Sequence, residues 1–374
     1  MVNTIGSIKK HLPLSPHSHI TLLGAGLIGR LLAVVLAQQG HKVSIYDAHG
    51  PEAEGSAARV AAAMLAPLAE SAITEPCVVR MGQYSLARWP ALLAQLTESA
   101  EPVFFQQNGT LLLWHRQDAH EAARLQRKLE QTQTDIPTLP CLQVLDAAGI
   151  AQVEPELVGR FHQALLLPEE GQLDNRQLLA SLAATFAPLG IAAHWHSPRN
   201  PEDFALEPEE WLIDCRGLGA RADWPALRGV RGEVIRLHAP SVTLSRPTRL
   251  VHPRYPIYIA PKENHHFVIG ATEIESDDLS PASVRSTLEL LSAAYAVHPG
   301  FAEARILEIA TQCRPTLPNN LPGLRLIGSR VLQINGLYRH GFMIAPALLD
   351  AVLELLNTGQ SPLARDFDLA LHTP

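Results

Sequence analysis

The segment from His19 to Asp47 limits what this chain can fold into more than any other. His19-Ile20-Thr21-Leu22-Leu23 reads as a short buried strand, Gly24-Ala25-Gly26-Leu27-Ile28-Gly29 as a tight turn, and Arg30 to Gln39 as a helix stopped by Gly40. Lys42 to Asp47 is a second strand ending in an acidic residue. The result is a βαβ unit with G-x-G-x-x-G in the required context. Gly24 permits the turn, Gly26 lets the backbone approach a pyrophosphate, and Gly29 lets helix and strand pack closely. The helix N-terminus supplies N–H groups and partial positive charge to the phosphates, and Asp47 can accept hydrogen bonds from a ribose. On these residues alone the ligand is an adenine dinucleotide, NAD or FAD.

The 374 residues suggest two or three domains, and 47% apolar content suffices for a large buried core. A formal net charge of -7 excludes a nucleic-acid groove, which needs an excess of Lys and Arg to displace counterions. Cys77, Cys141, Cys215 and Cys313 are spread too widely for a zinc spacing or a C-x-x-C pair, so four reduced thiols and a cytoplasmic location are expected. His194-Trp195-His196 and His265-His266 lack a third ligand at useful spacing, so no metal is expected. Residues 1–18 carry no signal-peptide core and read as a disordered leader. No apolar run reaches the ~18 residues of a membrane span, so membrane insertion is not expected.

Farther along, Pro102 to Phe105 and Thr110 to Trp114 flank Gln107-Asn108-Gly109 and predict a hairpin. Helices are expected over Gln117 to Gln133, Asn175 to Pro188, Pro281 to Val297 and Gly341 to Leu356. Trp211 to Cys215 is a strand entering Arg216-Gly217-Leu218-Gly219. Arg231 to Leu237, Pro256 to Pro261 and Phe267 to Gly270 read as antiparallel strands, Ala304 to Thr311 as extended, and Val331 to Gly336 as a last buried strand. Nucleotide-type elements at both chain ends imply discontinuous domains.

In this order, the segments resemble the flavin-dependent D-amino acid oxidase superfamily, most closely its glycine oxidase branch associated with thiamine biosynthesis. The markers are Gly24 to Gly29, Asp47, Ala61-Ala62-Ala63-Met64-Leu65, Val230-Arg231-Gly232-Glu233, Tyr258-Ile259-Ala260-Pro261, Val268-Ile269-Gly270-Ala271-Thr272, Arg314-Pro315, and Tyr338-Arg339-His340-Gly341 running into Ala345-Pro346-Ala347. The resemblance implies an α/β fold, α+β overall: a Rossmann-like FAD-binding domain of the glutathione-reductase type (19–100, 145–225 and 320–374) with an antiparallel-sheet substrate domain (101–144 and 226–319). It implies FAD held by Gly24, Gly26, Leu27, Ile28, Gly29, Asp47, Ala48, Ala62, Ala63, Met64 and Gly217, and by Leu337, Tyr338, Arg339, His340, Gly341, Phe342 and Met343 where the last strand turns into the last helix.

For the substrate, the resemblance implies that Arg314 binds a carboxylate, that Arg339 lies beside the flavin and that Tyr258 lines the pocket. Arg suits the first role because its planar fork makes two parallel hydrogen bonds. The activity implied is oxidation of glycine or a related small amino acid: hydride passes from the α-carbon to the flavin, an imine leaves, and oxygen is reduced to hydrogen peroxide. Partners are the amino acid and oxygen, and a homo-oligomer stays open. Alternatives are a D-amino acid or sarcosine-type dehydrogenase with a quinone or carrier acceptor, an NAD-dependent dehydrogenase, and a non-catalytic flavin-binding subunit. The sequence also departs from the family pattern: Thr316-Leu317-Pro318-Asn319-Asn320 follows Arg314-Pro315 where Gly or Thr and then Asp are typical. Ala63 stands where a glycine is usual, Glu273 where an apolar residue is common, and Ala57 and Ala58 where hydroxyls usually meet the phosphates. Cys313 lies near where sarcosine oxidases of the same superfamily attach flavin covalently, but the favoured reading is a plain buried thiol.

Overall fold

The computed structural model describes residues 2–3, 13–96, 101–252 and 256–372. The expected βαβ unit is there: strand His19–Leu23, helix Leu27–Gln38 and strand Lys42–Tyr46, the two strands parallel. Ile20 and Leu22 are fully buried, and so are Leu32 and Leu36 on the helix that packs over them. Apolar runs of this kind are what a parallel sheet covered on both faces requires.

These strands sit inside an eight-stranded sheet ordered Val2–Asn3, Ala370–His372, Gly323–Ile327, Val331–Asn335, Glu210–Asp214, His19–Leu23, Lys42–Tyr46, Ala192–His194. From Val331–Asn335 to Ala192–His194 every neighbouring pair is parallel. The carboxyl ends of these strands therefore open on one side, where α/β sheets bind ligands. Helix Gly341–Thr358 packs against Leu27–Gln38 and against Pro76–Ala94. It is apolar enough along its length to meet the composition of a membrane span, yet twelve of its side chains are buried in the protein, which makes it a core helix.

A second eight-stranded sheet runs Arg305–Thr316, Arg228–His238, His266–Gly270, Ile257–Pro261, Thr248–Leu250, Thr110–Leu113, Gln163–Leu167, Gln143–Asp146. Its pairs are antiparallel except that of Thr248–Leu250 with Thr110–Leu113. A small third sheet joins Met64–Leu65, Gly171–Leu173 and Phe105–Gln106.

The structure corrects three expectations. Phe105–Gln106 and Thr110–Leu113 do not form a hairpin. After Gln107-Asn108-Gly109 the chain changes sheets, the Gly109 N–H donating to the Glu170 carbonyl, and Thr110–Leu113, buried along its whole length, takes partners on both sides. Continuous burial marks an interior strand rather than one arm of an isolated pair. Gln163–Leu167, in the segment 145–225 grouped with the nucleotide domain, belongs to the second sheet. In the leader, Val2–Asn3 pairs antiparallel with Leu371–His372, and Leu14 donates its N–H to the Leu356 carbonyl; residues 1 and 4–12 lie outside the described residues.

Candidate active site

One elongated cavity of about 1360 Å³ runs from the Gly24 turn to the face of the second sheet. At its first end the turn is fixed by close contacts. Gly24 has φ +89, and a Cβ there would lie 2.7 Å from the Cys215 carbonyl oxygen. A Cβ on Gly29 would lie 1.9 Å from the Gly24 carbonyl oxygen. Gly29 is absent from the cavity lining, so it serves helix packing rather than ligand contact. Gly26, Leu27, Ile28, Asp47, Ala48, Ala62, Ala63, Met64 and Gly217 all line the cavity. Asp47 accepts the Ala25 N–H at 2.6 Å and the His49 N–H at 2.8 Å, so it holds the turn and keeps further lone pairs for a ribose.

Helix Leu27–Gln38 starts at Gly26 with no side-chain cap, which leaves its first N–H groups for an anion. Gly341–Thr358 also starts without a side-chain cap, and Leu337, Tyr338, Arg339, His340, Gly341, Phe342 and Met343 line the same cavity. With no hydroxyl at Ala57 and Ala58, Ser56 provides one beside the turn: its Oγ accepts the Ala58 N–H at 3.2 Å and faces Gly26. Ala63 has φ +52, a left-handed conformation that favours glycine. The two uncapped helix starts, the glycine cradle and the alanine-lined wall fit an extended dinucleotide such as FAD.

The far end is charged. Arg314, on Arg305–Thr316, pairs in register with Val230. Its guanidinium lies over Gly232, where a Cβ would come within 2.3 Å of Nη2. It donates to the carbonyls of Thr272 at 3.1 Å and Arg231 at 3.3 Å, and among the described residues no carboxylate oxygen lies within 4.0 Å of it. Burial lowers its pKa, a sign that the charge lacks full compensation. Tyr258 lies over Gly270 in the same way, with a Cβ there 2.5 Å from the phenol oxygen. Gly232 and Gly270, on neighbouring strands, clear the floor for the two side chains.

Arg339 is fully engaged. Its Nε sits 3.1 Å from Glu70 Oε2 and its Nη1 donates to Glu273 Oε2 at 2.8 Å. Its pKa is raised, Glu70 being the largest cause. Glu70 also accepts from Arg249. Burial alone would raise the Glu70 pKa, but Arg339, Arg249 and His340 outweigh it and hold the carboxyl far below its ordinary range. Burial brings His340 down to about 4, so the imidazole is neutral at pH 7. Tyr338 donates to Glu273 Oε1 at 2.6 Å, and burial with that bond pushes its phenol up to about 12. Cys313 is buried and its thiol pKa is raised, chiefly by burial. The structure thus brings Arg314, Tyr258 and Arg339 to one cavity, together with Glu70 and Arg249, which the sequence did not single out.

The cavity thus joins a glycine turn suited to a dinucleotide at one end to an arginine without a carboxylate partner, among the described residues, at the other. A sequence model of the DAO family, described as FAD dependent oxidoreductase, matches residues 19–354, and the chain belongs to that family. FAD is therefore the cofactor, which removes the NAD alternative. A Rhizobium etli protein named "Putative thiamine biosynthesis oxidoreductase ThiO" is 38% identical over 91% of this chain and 97% of its own length. The chain spans 54% of the bifunctional protein ThiO/ThiG of Trichormus variabilis, at 25% identity over 93% of this chain. Among solved structures, glycine oxidase from Bacillus cereus superposes with a TM-score of 0.80, covering 95% of this chain and 98% of that one at 21% identity, a likeness of fold.

Proposed function

We propose that this oxidoreductase deaminates glycine or a related small amino acid and passes the electrons to oxygen, supplying an intermediate of thiamine thiazole synthesis. The observation that carries the reading is Arg314, a guanidinium at the cavity's far end with carbonyl partners but no carboxylate. Its fork can take the substrate carboxylate through two charged hydrogen bonds. The identity to the Rhizobium protein supports the placement in thiamine synthesis, and the four free cysteines support a reducing, cytoplasmic setting. We further propose that the first sheet holds the FAD and the second the substrate, with the sites on both sheets as assigned from the sequence, Gly29 excepted.

FAD, when bound, accepts the two electrons of the substrate C–H bond. The chain's own residues position and exclude. Arg314 fixes the carboxylate, Tyr258 walls the pocket beside it, and ion pairs tie Glu70, Arg339 and Glu273 into a ladder along the same cavity. Glu70 is locked between arginines and burial raises the Tyr258 pKa, so neither of these two stands ready as a general base. Catalysis then rests on alignment, as expected where the cofactor carries the chemistry.

The test is Arg314→Ala. Charged hydrogen bonds contribute ~1.5 to 3 kcal/mol each, so kcat/KM for glycine, followed by peroxide release, falls by about two orders of magnitude or more while FAD stays bound. Arg314→Lys recovers part of the loss, and simple amines lacking a carboxylate are far less affected. Unaltered kinetics on the best amino acid would remove Arg314 from the substrate site.

A further inference from the structure

We propose that Glu273 limits this site to substrates with one carboxylate, an inference that rests on the assignment of Arg314 as the carboxylate's partner. The argument begins with the charges at the cavity's far end. Arg249 and Arg339 contribute two positive charges, and Glu70 and Glu273, joined to them by ion pairs, contribute two negative ones. His340 is neutral at pH 7, and both Tyr258 and Tyr338 have raised phenol pKa values, so neither adds charge. Among the described residues of this group, Arg314 is the guanidinium left without a carboxylate partner. One carboxylate satisfies it through the two arms of its fork.

Glu273 is also held where a second carboxylate would meet it. Its neighbour Thr272 gives its carbonyl to Arg314 Nη2 at 3.1 Å and takes its own N–H to the Glu233 carbonyl. On the other side Ile274 exchanges both backbone hydrogen bonds with Arg231. The Glu273 backbone is thus pinned beside Arg314. Its side chain is 46% exposed, lines the cavity, and is steered by Tyr338 at 2.6 Å and Arg339 at 2.8 Å. A fixed carboxylate beside the single anion site repels a substrate bearing another negative group, and partial exposure moderates that repulsion without removing it. Glu273 acts here as a specificity residue rather than a catalytic one.

Three achiral probes separate charge from size. Glycine carries one carboxylate, sarcosine adds an N-methyl group, and iminodiacetate adds an N-carboxymethyl group in its place. In the wild-type holoenzyme sarcosine is favoured over iminodiacetate in kcat/KM. Glu273→Gln keeps an acceptor for Tyr338 and removes the charge, and it moves the iminodiacetate-to-sarcosine ratio up by roughly tenfold or more. A binding measurement runs beside it: dissociation constants of acetate and malonate, read from the flavin spectrum of the same two proteins, shift by a similar factor in favour of malonate. Ratios unchanged within about twofold, or equal changes for mono- and dicarboxylates, would overturn the proposal. If neither protein turned over any amine, the amino acid reading would fail. The acetate-to-malonate ratio would still decide the role of Glu273.

Discussion

The two ends of the cavity are built on different principles. The end proposed for the nucleotide is centred on one contiguous stretch, Gly24 to Asp47, which offers a ligand backbone groups and missing side chains. The end proposed for the substrate is made from side chains on separate elements: Glu70 on Pro67–Glu70, Arg249 on Thr248–Leu250, Arg314 on Arg305–Thr316, and Arg339 on the turn Tyr338–His340 that leads into Gly341–Thr358. A backbone site tolerates almost any side-chain chemistry but no added volume. A charged side-chain site tolerates volume changes better than the loss of a partner, because the charge left behind is buried.

The largest expected effect falls on the charged end. Glu70→Gln leaves Arg249 and Arg339 without their shared carboxylate, and breaking a buried pair from one side costs about 3–5 kcal/mol. Urea unfolding measures it. The sign of the pH dependence follows from the lowered Glu70 pKa. The native state binds fewer protons than the unfolded chain, so the stabilisation is complete above the unfolded value of ~4.3 and is lost as pH falls through the native value. Glu70→Gln therefore flattens the acid limb of the stability curve. A limb unchanged by the substitution would break the comparison.

Next comes volume at the backbone end. Gly29→Ala sets a methyl 1.9 Å from the Gly24 carbonyl oxygen, and overpacking of this kind costs roughly 1–3 kcal/mol. The variant should release FAD more readily on dilution, whereas Arg314→Ala should retain it. The smallest effect is a gain. Ala63 at φ +52 holds a conformation that costs an L-residue ~1–2 kcal/mol, and the greater unfolded freedom of glycine takes back part of that. Ala63→Gly should raise the thermal midpoint by an amount equivalent to about 1 kcal/mol or less. A lowered midpoint would show that the strain is absent.

The same contrast explains what could be read from sequence. The nucleotide turn was legible because its residues are neighbours in the chain with a fixed spacing. Arg314, Arg339 and Tyr258 were found through the family resemblance, and the structure brings them to one cavity. Glu70 and Arg249 left no signal, since one carboxylate among 37 acidic residues acquires meaning only when folding sets it between two arginines. Gly232 and Gly270 did leave one: a glycine inside a strand pattern marks a close approach, here of Arg314 and Tyr258. At Gln107-Asn108-Gly109 the turn chemistry suits a hairpin, but Thr110–Leu113 is buried along its length and pairs with Gln163–Leu167 and Thr248–Leu250 instead.

The central claim is that a carboxylate held by Arg314 presents an amino acid to FAD. Mixing glycine anaerobically with the purified holoenzyme tests it most directly, because oxygen and any later step are excluded. Wild-type protein should lose the flavin's visible absorption band as electrons arrive, and Arg314→Ala, equally loaded with FAD, should keep it at the same glycine concentration. Equal bleaching of both proteins would contradict the claim.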